Sequence, residues 1–393
     1  MSTGKRIGLV LSSVPPYSET FFKTQINGLA GNGFRIYLFA AGKQNPDLRC
    51  TLIKPYPVFN SYLTRMLSVC VVLPLTFIKV PARVIRLYKY EKESGTTATE
   101  IIKRLYLNAH ILPYTLDWLH FGFATIALGR EEVAQAIGAK MAVSFRGYDL
   151  NVYPLKNPGC YKKLWKKVDQ VHSISLYLLE RGFVLGLSRD KPWIVITPAL
   201  SFGDDPEQKI RQELQSPLRI LTVARLTWIK GLEYGIKAMA ILRAMNIPSQ
   251  YTIIGEGPDQ EKLLFEIHDL DLADRVHLVG KLDHSATLAA MTQTDIYIQP
   301  SLNEGFCNSI MEAQANGCLC IASDVGGLPE NILQNVTGWL VTSRSPEQIA
   351  EAVDRILRMT SVERKQVIQN AWRRMREDFG LTSHIEKWVI FYK

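Results

Sequence analysis

The chain has 393 residues, of which 47% are hydrophobic and 21% charged, and its mean hydropathy is close to zero. These values describe a globular protein with room for two domains of ordinary size, each with its own core, and exclude a disordered chain. Six cysteines are scattered without a CxxC pair or a Cys/His metal spacing, so a zinc module is excluded and a reducing cytoplasm is the expected compartment.

The net charge of +9 is unevenly placed. Lys54 to Arg104 carries nine Lys/Arg and three Glu, a net of +6, and Lys156 to Lys167 carries five Lys and no acid, so the remainder sums to −2. The first segment interleaves apolar residues such as Leu67, Val71, Leu75 and Ile78 with its cations, and the second holds Tyr161, Leu164 and Trp165. Basic and amphipathic together point to an anionic membrane face; a solvated helix with one buried stripe would give the same pattern. Nucleic acid is not expected, because no nucleic-acid module accompanies the charge. No segment reaches the roughly 20 apolar residues of a spanning helix, and Met66 to Val80, the nearest, contains Pro74 and Lys79.

In chain order, Arg6 to Leu11 reads as a first strand rather than a signal peptide, since the apolar run is short and no small-residue cleavage site follows. A helix from Ser18 to Gly31 with Phe22, Ile26 and Leu29 on one face, then a strand from Arg35 to Ala40, complete a β-α-β unit. After the basic region, strands are predicted at Trp118–Phe121, Met141–Phe145 and Gln170–Ile174. His120 ends the first of these. It reads either as a structural histidine, the commoner role for a lone one, or as a site residue. Arg146-Gly147-Tyr148-Asp149 ends the next strand and is comparable. Thr197 to Pro217 reads as a linker, polar and acidic between prolines.

A second strand–helix series then predicts another parallel sheet, with strands at Arg219–Ala224, Tyr251–Ile254, Arg275–Val279, Ile296–Gln299 and Cys318–Ser323. Two Rossmann-like α/β halves joined by a linker imply a cleft, with ligands at the carboxyl ends of the strands. Arg225 and Lys230 flank the first βα loop of this half, where two cations near a helix start suit a diphosphate leaving group. Glu304 falls in the loop after Ile296–Gln299 and Glu312 in the first turns of the following helix. Carboxylates there suit sugar hydroxyls, since each accepts hydrogen bonds from vicinal groups. Ser309-Ile310-Met311-Glu312 is also a capping-box pattern, so Glu312 has a purely local alternative. Gly255-Glu256-Gly257 and Gly326-Gly327 read as tight turns that let backbone approach a ligand. Asp269-Leu270-Asp271 matches a metal-binding DxD only superficially and reads as a loop.

The Arg225-x4-Lys230-Gly231 element, Gly255-x-Gly257, Pro300-Ser301 leading to Glu304-x7-Glu312-Ala313, Gly317, and Gly326-Gly327-x-Pro329-Glu330 resemble, in order and spacing, the GT-B-fold retaining glycosyltransferases of family 4 (group 1). In the first half, Ser18-Glu19-Thr20-Phe21, His120-Phe121-Gly122 and Arg146-Gly147-Tyr148-Asp149 resemble bacterial exopolysaccharide transferases of the colanic-acid or amylovoran kind. Two departures are Ile196-Thr197-Pro198-Ala199-Leu200, where many relatives carry an Asn-Gly-Val-Asp type turn, and Arg146, where many carry histidine.

The resemblance implies an acceptor domain over 1–198, completed by a C-terminal helix over 383–393, and a nucleotide-sugar domain over 199–382. Glu312 would hold the ribose, Glu304 the donor sugar, and Arg225 and Lys230 the diphosphate. Gly255, Gly305, Phe306, Asn308 and Ser309 would complete the donor site. His120 would line the donor–acceptor junction, with Ser18, Glu19, Arg146 and Asp149 on the acceptor side. The implied enzyme is a retaining, metal-independent hexosyltransferase that uses a UDP- or GDP-sugar as substrate and needs no further cofactor. Its acceptor would be a lipid-diphosphate-linked saccharide, reached at the inner face of the cell membrane through Lys54–Arg104 and Lys156–Lys167. A nucleotide-sugar epimerase and a non-catalytic, membrane-associated scaffold are the alternatives on the same fold.

Overall fold

In the computed structural model, residues 4–15, 20–200 and 213–393 are described. They form two compact units: residues 4–15, 20–174, 178–196 and 384–393 in the first, and 175–177, 197–200 and 213–383 in the second. Ser18, Glu19 and most of the expected linker lie outside the described residues.

The first unit is built on β1 (Arg6–Ser13), β2 (Arg35–Ala41), β3 (Thr51–Ile53), β4 (Trp118–Phe121), β5 (Lys140–Phe145), β6 (Gln170–Ser173) and β7 (Trp193–Val195), ordered β3-β2-β1-β4-β5-β6-β7. The second is built on β8 (Leu218–Val223), β9 (Ser249–Ile254), β10 (Val276–Gly280), β11 (Ile296–Gln299), β12 (Leu319–Ser323) and β13 (Trp339–Val341), ordered β10-β9-β8-β11-β12-β13. Neighbouring strands pair parallel in both sheets, for example Leu9 with Leu38 and His120, and Tyr297 with Leu221 and Cys320. Helices cover both faces, so the central strands read as almost continuous apolar runs: all four residues of β11 and all five of β12 are buried.

Ten of these strands match predicted ones, with ends displaced by a residue or two as expected where a ladder frays. The other three, β3, β7 and β13, have three residues each and form sheet edges. Three residues are too few to show a periodic pattern, and their place is fixed by the neighbouring strand.

Helix Thr20–Gly31 buries Phe22, Ile26 and Leu29 against the first sheet. The same core takes in Trp388, Phe391 and Tyr392 from the C-terminal helix Leu381–Phe391 and the residue after it. The basic region resolves into three helices: Tyr62–Lys79, Pro81–Glu93 and Ala98–Asn108.

In each sheet the strand order reverses once, between β1 and β4 in the first unit and between β8 and β11 in the second. Loops leave such a point in opposite directions and open a crevice at the carboxyl ends of the strands, where open α/β sheets take ligands.

Candidate active site at the β8/β11 switch point

The loop after β8 carries Arg225 and Lys230; the loop after β11 carries Glu304. Lys230 donates from Nζ to Glu304 Oε1, so the two loops are tied across the switch point by an ion pair. Both side chains are largely withdrawn from solvent, with 17% and 10% of their surface exposed, which raises the strength of the pair above that of a surface contact. Burial works to lower the pKa of the Lys230 ammonium. The Glu304 carboxylate and Cys307 more than offset that, and the group sits above its ordinary value. Lys230 is therefore a cation at neutral pH, and Arg225 stands exposed beside it.

Glu304 is held from below. Ser301 Oγ donates to Oε1 at 2.9 Å, and Gln299 Nε2 reaches Ser301 Oγ at 2.8 Å and Oε1 at 3.4 Å. The Tyr297 hydroxyl donates to Gln299 Oε1 at 3.0 Å. Tyr297, Gln299 and Ser301 alternate along the end of β11, which brings them to one face. Polar residues at period two in an otherwise apolar strand are the sequence signal for this support. Gly327 N–H adds a bond to the Glu304 carbonyl at 2.9 Å.

Glu312 lies in helix Asn308–Ala315, which starts from Cys307. Ser309 is therefore inside the helix, and no capping box forms with Glu312. Its Oε1 instead meets His284 Nε2 at 3.0 Å, from the start of helix His284–Thr292. Sequence reasoning missed His284, because the partner is 28 residues away and is delivered by a neighbouring helix. Gly305 and Phe306 are buried, with Phe306 against Phe379 at 5.7 Å between ring centres, while Asn308 and Ser309 are half-buried at the helix start.

The glycine turns pack the loops of this edge against one another. Gly255 has φ +149°, and a Cβ there would lie 1.9 Å from the Ala224 carbonyl oxygen. This close approach to the β8 loop lets the β9 turn support the backbone next to Arg225. Gly231, with φ +58°, would place a Cβ 2.2 Å from the Pro300 oxygen, so this glycine packs the Lys230 loop against the Glu304 loop. Asp269 ends helix Gln260–Asp269, and Asp271 pairs with Arg243 at 3.1 Å, in keeping with the loop reading.

The first unit places its candidates differently. His120 is fully buried inside β4, and the junction role does not fit this position. A single chain of hydrogen bonds fixes its state. The Ile196 carbonyl only accepts, so His172 Nε2 carries the proton that reaches it at 2.9 Å, and His172 Nδ1 accepts from Ser144 Oγ at 2.7 Å. Ser144 then accepts from His120 Nε2 at 2.8 Å, and His120 Nδ1 accepts from the Tyr392 hydroxyl. Both histidines are neutral: burial pushes His120 down to about 3, with Arg146 adding to it, and lowers His172 well below its ordinary value.

Asp149 is likewise buried, accepting N–H groups from Ala124, Arg146 and Gly147. It holds the turn rather than facing an acceptor. Arg146 lies over the rings of Phe21 and Phe22 at 4.1 and 4.2 Å and donates from Nε to the Gly122 carbonyl at 3.0 Å.

Two doubly wound parallel sheets, with Lys230 and Glu304 paired at the switch point of the second, define a GT-B-type α/β fold. Residues 204–374 match the family described as glycosyl transferases group 1. The chain is 32% identical over 276 residues to the amylovoran biosynthesis glycosyltransferase AmsK of Erwinia amylovora, an alignment covering 67% of this chain and 66% of AmsK. It is 24% identical over 400 residues to the putative colanic acid biosynthesis glycosyltransferase WcaL of Escherichia coli, covering 95% and 96%. Among solved structures, Anabaena HepE in complex with UDP superposes with a TM-score of 0.68 at 16% identity, covering 98% of each chain. The chain is a group 1 glycosyltransferase, homologous to glycosyltransferases of exopolysaccharide biosynthesis. That relationship supports the transferase reading over the epimerase and scaffold readings.

Proposed function

We propose that the protein is a retaining glycosyltransferase of family 4 that moves a hexose from a nucleoside diphosphate, UDP or GDP, to a lipid-diphosphate-linked saccharide at the inner membrane surface. The observation that carries the donor half is the Lys230–Glu304 pair across the β8/β11 switch point, with Arg225 beside it.

In this reading Glu312, set by His284, accepts from the ribose hydroxyls, and Glu304 accepts from the donor sugar. Arg225 and Lys230 take the diphosphate. As the bond between C1 and the phosphate oxygen breaks, negative charge grows on the diphosphate, and these two cations stabilise it where it develops. The acceptor oxygen bonds to C1 on the face the phosphate leaves, and its proton passes to the departing phosphate oxygen. No metal is required, because the two side chains supply the counter-charge that a divalent ion would otherwise provide. AmsK and WcaL, as glycosyltransferases named for polysaccharide biosynthesis, support a saccharide acceptor, and HepE bound to UDP supports a nucleotide donor.

Thermal shift against UDP, GDP, ADP and dTDP, with EDTA present, tests the donor half. Selective stabilisation by UDP or GDP is expected, about 2.7 kcal/mol at 100 times the dissociation constant. No response to any nucleotide would refute it. Product NMR with retained anomeric configuration tests the stereochemistry.

A further inference from the structure

Helix Tyr62–Lys79 is apolar on two opposite faces. Val72 and Thr76 are buried, and Val72, with Val69 and Leu73 beside it, packs on Tyr106 and Ala109 of the first unit. The other face is turned to solvent yet carries Leu63, Leu67, Val71, Leu75 and Ile78, each between 52% and 75% exposed. These recur every three or four residues and make one continuous stripe. By length and composition the helix would pass for a membrane span, yet only 11% of its 18 residues are buried. A buried core helix would match the length and composition but not the exposure. The helix thus has one buried stripe and, opposite it, a second apolar stripe that the described residues leave exposed.

The charge around the stripe identifies what covers it. From Leu48 to Tyr90 the sequence contains no Asp or Glu. Arg65 and Lys79 mark the two ends of the helix and are exposed, with Arg86 and Lys89 on the next helix, Pro81–Glu93. The acids further on are already engaged: Glu91 by Arg104 at 2.9 Å and Lys163 at 3.1 Å, and Glu93 by Lys89 at 3.8 Å. A second copy of this face would bring cation to cation with no carboxylate between them. An anionic bilayer satisfies both features, taking the stripe into its acyl layer and the end cations at its phosphates.

The second basic segment contributes less than its composition promised. Lys163 and Lys167 are turned inward onto buried Glu132 at 3.3 and 2.8 Å.

We infer that helix Tyr62–Lys79 is a monotopic membrane anchor, lying in the plane of an anionic bilayer with Leu63, Leu67, Val71, Leu75 and Ile78 inserted. This rests on the membrane-surface reading above and sharpens it from charge attraction to insertion. The buried face stays docked on the first unit, so the helix does not span.

The test uses the full chain and vesicles of phosphatidylglycerol and phosphatidylcholine, with L67E/L75E, R65Q/K79Q and a Leu67→Trp depth reporter. Both glutamates replace exposed side chains, and far-UV dichroism with nucleotide thermal shift verifies that fold and donor site are intact. Four results are expected. The parent sediments with phosphatidylglycerol vesicles and retains part of its binding in 0.5 M salt. L67E/L75E binds at least about tenfold more weakly. R65Q/K79Q loses preference for phosphatidylglycerol over phosphatidylcholine. The reporter tryptophan is quenched by acyl-chain bromines.

Binding by L67E/L75E equal to the parent, with all of it abolished by salt, would overturn insertion and leave a purely electrostatic peripheral protein. No vesicle binding by the parent would overturn insertion and the membrane reading together, while nucleotide stabilisation would still report on the transferase. A parent dimer that L67E/L75E converts to monomer would overturn it in favour of self-association.

Discussion

The two switch points have the same topology and opposite contents. At β8/β11 the candidate site groups stand in the loops past the strand ends: Glu304 is five residues beyond Gln299 and Lys230 seven beyond Val223. At β1/β4 the polar group, His120, lies within the strand itself, paired in register with Leu9 and Ala142. The few residues past the ladder separate a charged group that can meet a ligand from a neutral one sealed by Trp388, Phe391 and Tyr392. A desolvated ion pair keeps its charge because each partner supplies the other's solvation. A histidine surrounded by rings and hydroxyls keeps its place by staying neutral.

The comparison breaks most readily at Glu304. Glu304→Ala should lower transfer at least about a hundredfold, the loss typical of removing one preorganised charged contact. Lys230→Met alone should cost about 3 kcal/mol of stability by leaving a buried carboxylate unpaired. Lys230→Met with Glu304→Gln should cost less than the sum of the single changes. Additive losses in denaturant unfolding would mean that the pair does not couple the loops.

Gly231→Ala forces a Cβ onto the Pro300 oxygen at a positive φ and should destabilise the second unit by about 2 kcal/mol. It should weaken nucleotide binding as well, which the same thermal shift reads. Tyr392→Phe should leave the buried His120 Nδ1 without a donor and cost about 1–2 kcal/mol, with donor affinity unchanged. A loss of donor affinity in Tyr392→Phe would put the histidine chain back in the site.

The histidines also set a pH signature for the first unit. His120 and His110 are both lowered to about 3, chiefly by burial. Their unfolded forms take protons near the ordinary histidine value of about 6.5 and their folded forms do not, so stability is full above that pH and falls between it and about 3. Unfolding free energy that stays flat from pH 7 to pH 4 would contradict neutral burial. The smallest effect is expected at His284→Ala, which removes the neighbour of Glu312: the nucleotide dissociation constant should rise severalfold, up to about tenfold.

Much of this is legible in the sequence because the carriers are local. The strand–helix alternation shows two parallel sheets, and the spacing of Arg225, Lys230, Glu304 and Glu312 along βα loops is enough to place them at the carboxyl edge of the second. The clustering of cations in Lys54–Arg104 is equally plain, being a property of composition. What tertiary structure alone decided depends on which segment arrives beside which. It put His284 on Glu312, turned His120, Ser144, His172 and Tyr392 into one directed chain, and assigned the Gly255 approach to backbone. It turned Lys163 and Lys167 inward onto Glu132 and left the apolar stripe of Tyr62–Lys79 uncovered. Periodicity identifies a face as apolar, but burial requires a partner, and no property of the segment itself says whether the fold supplies one.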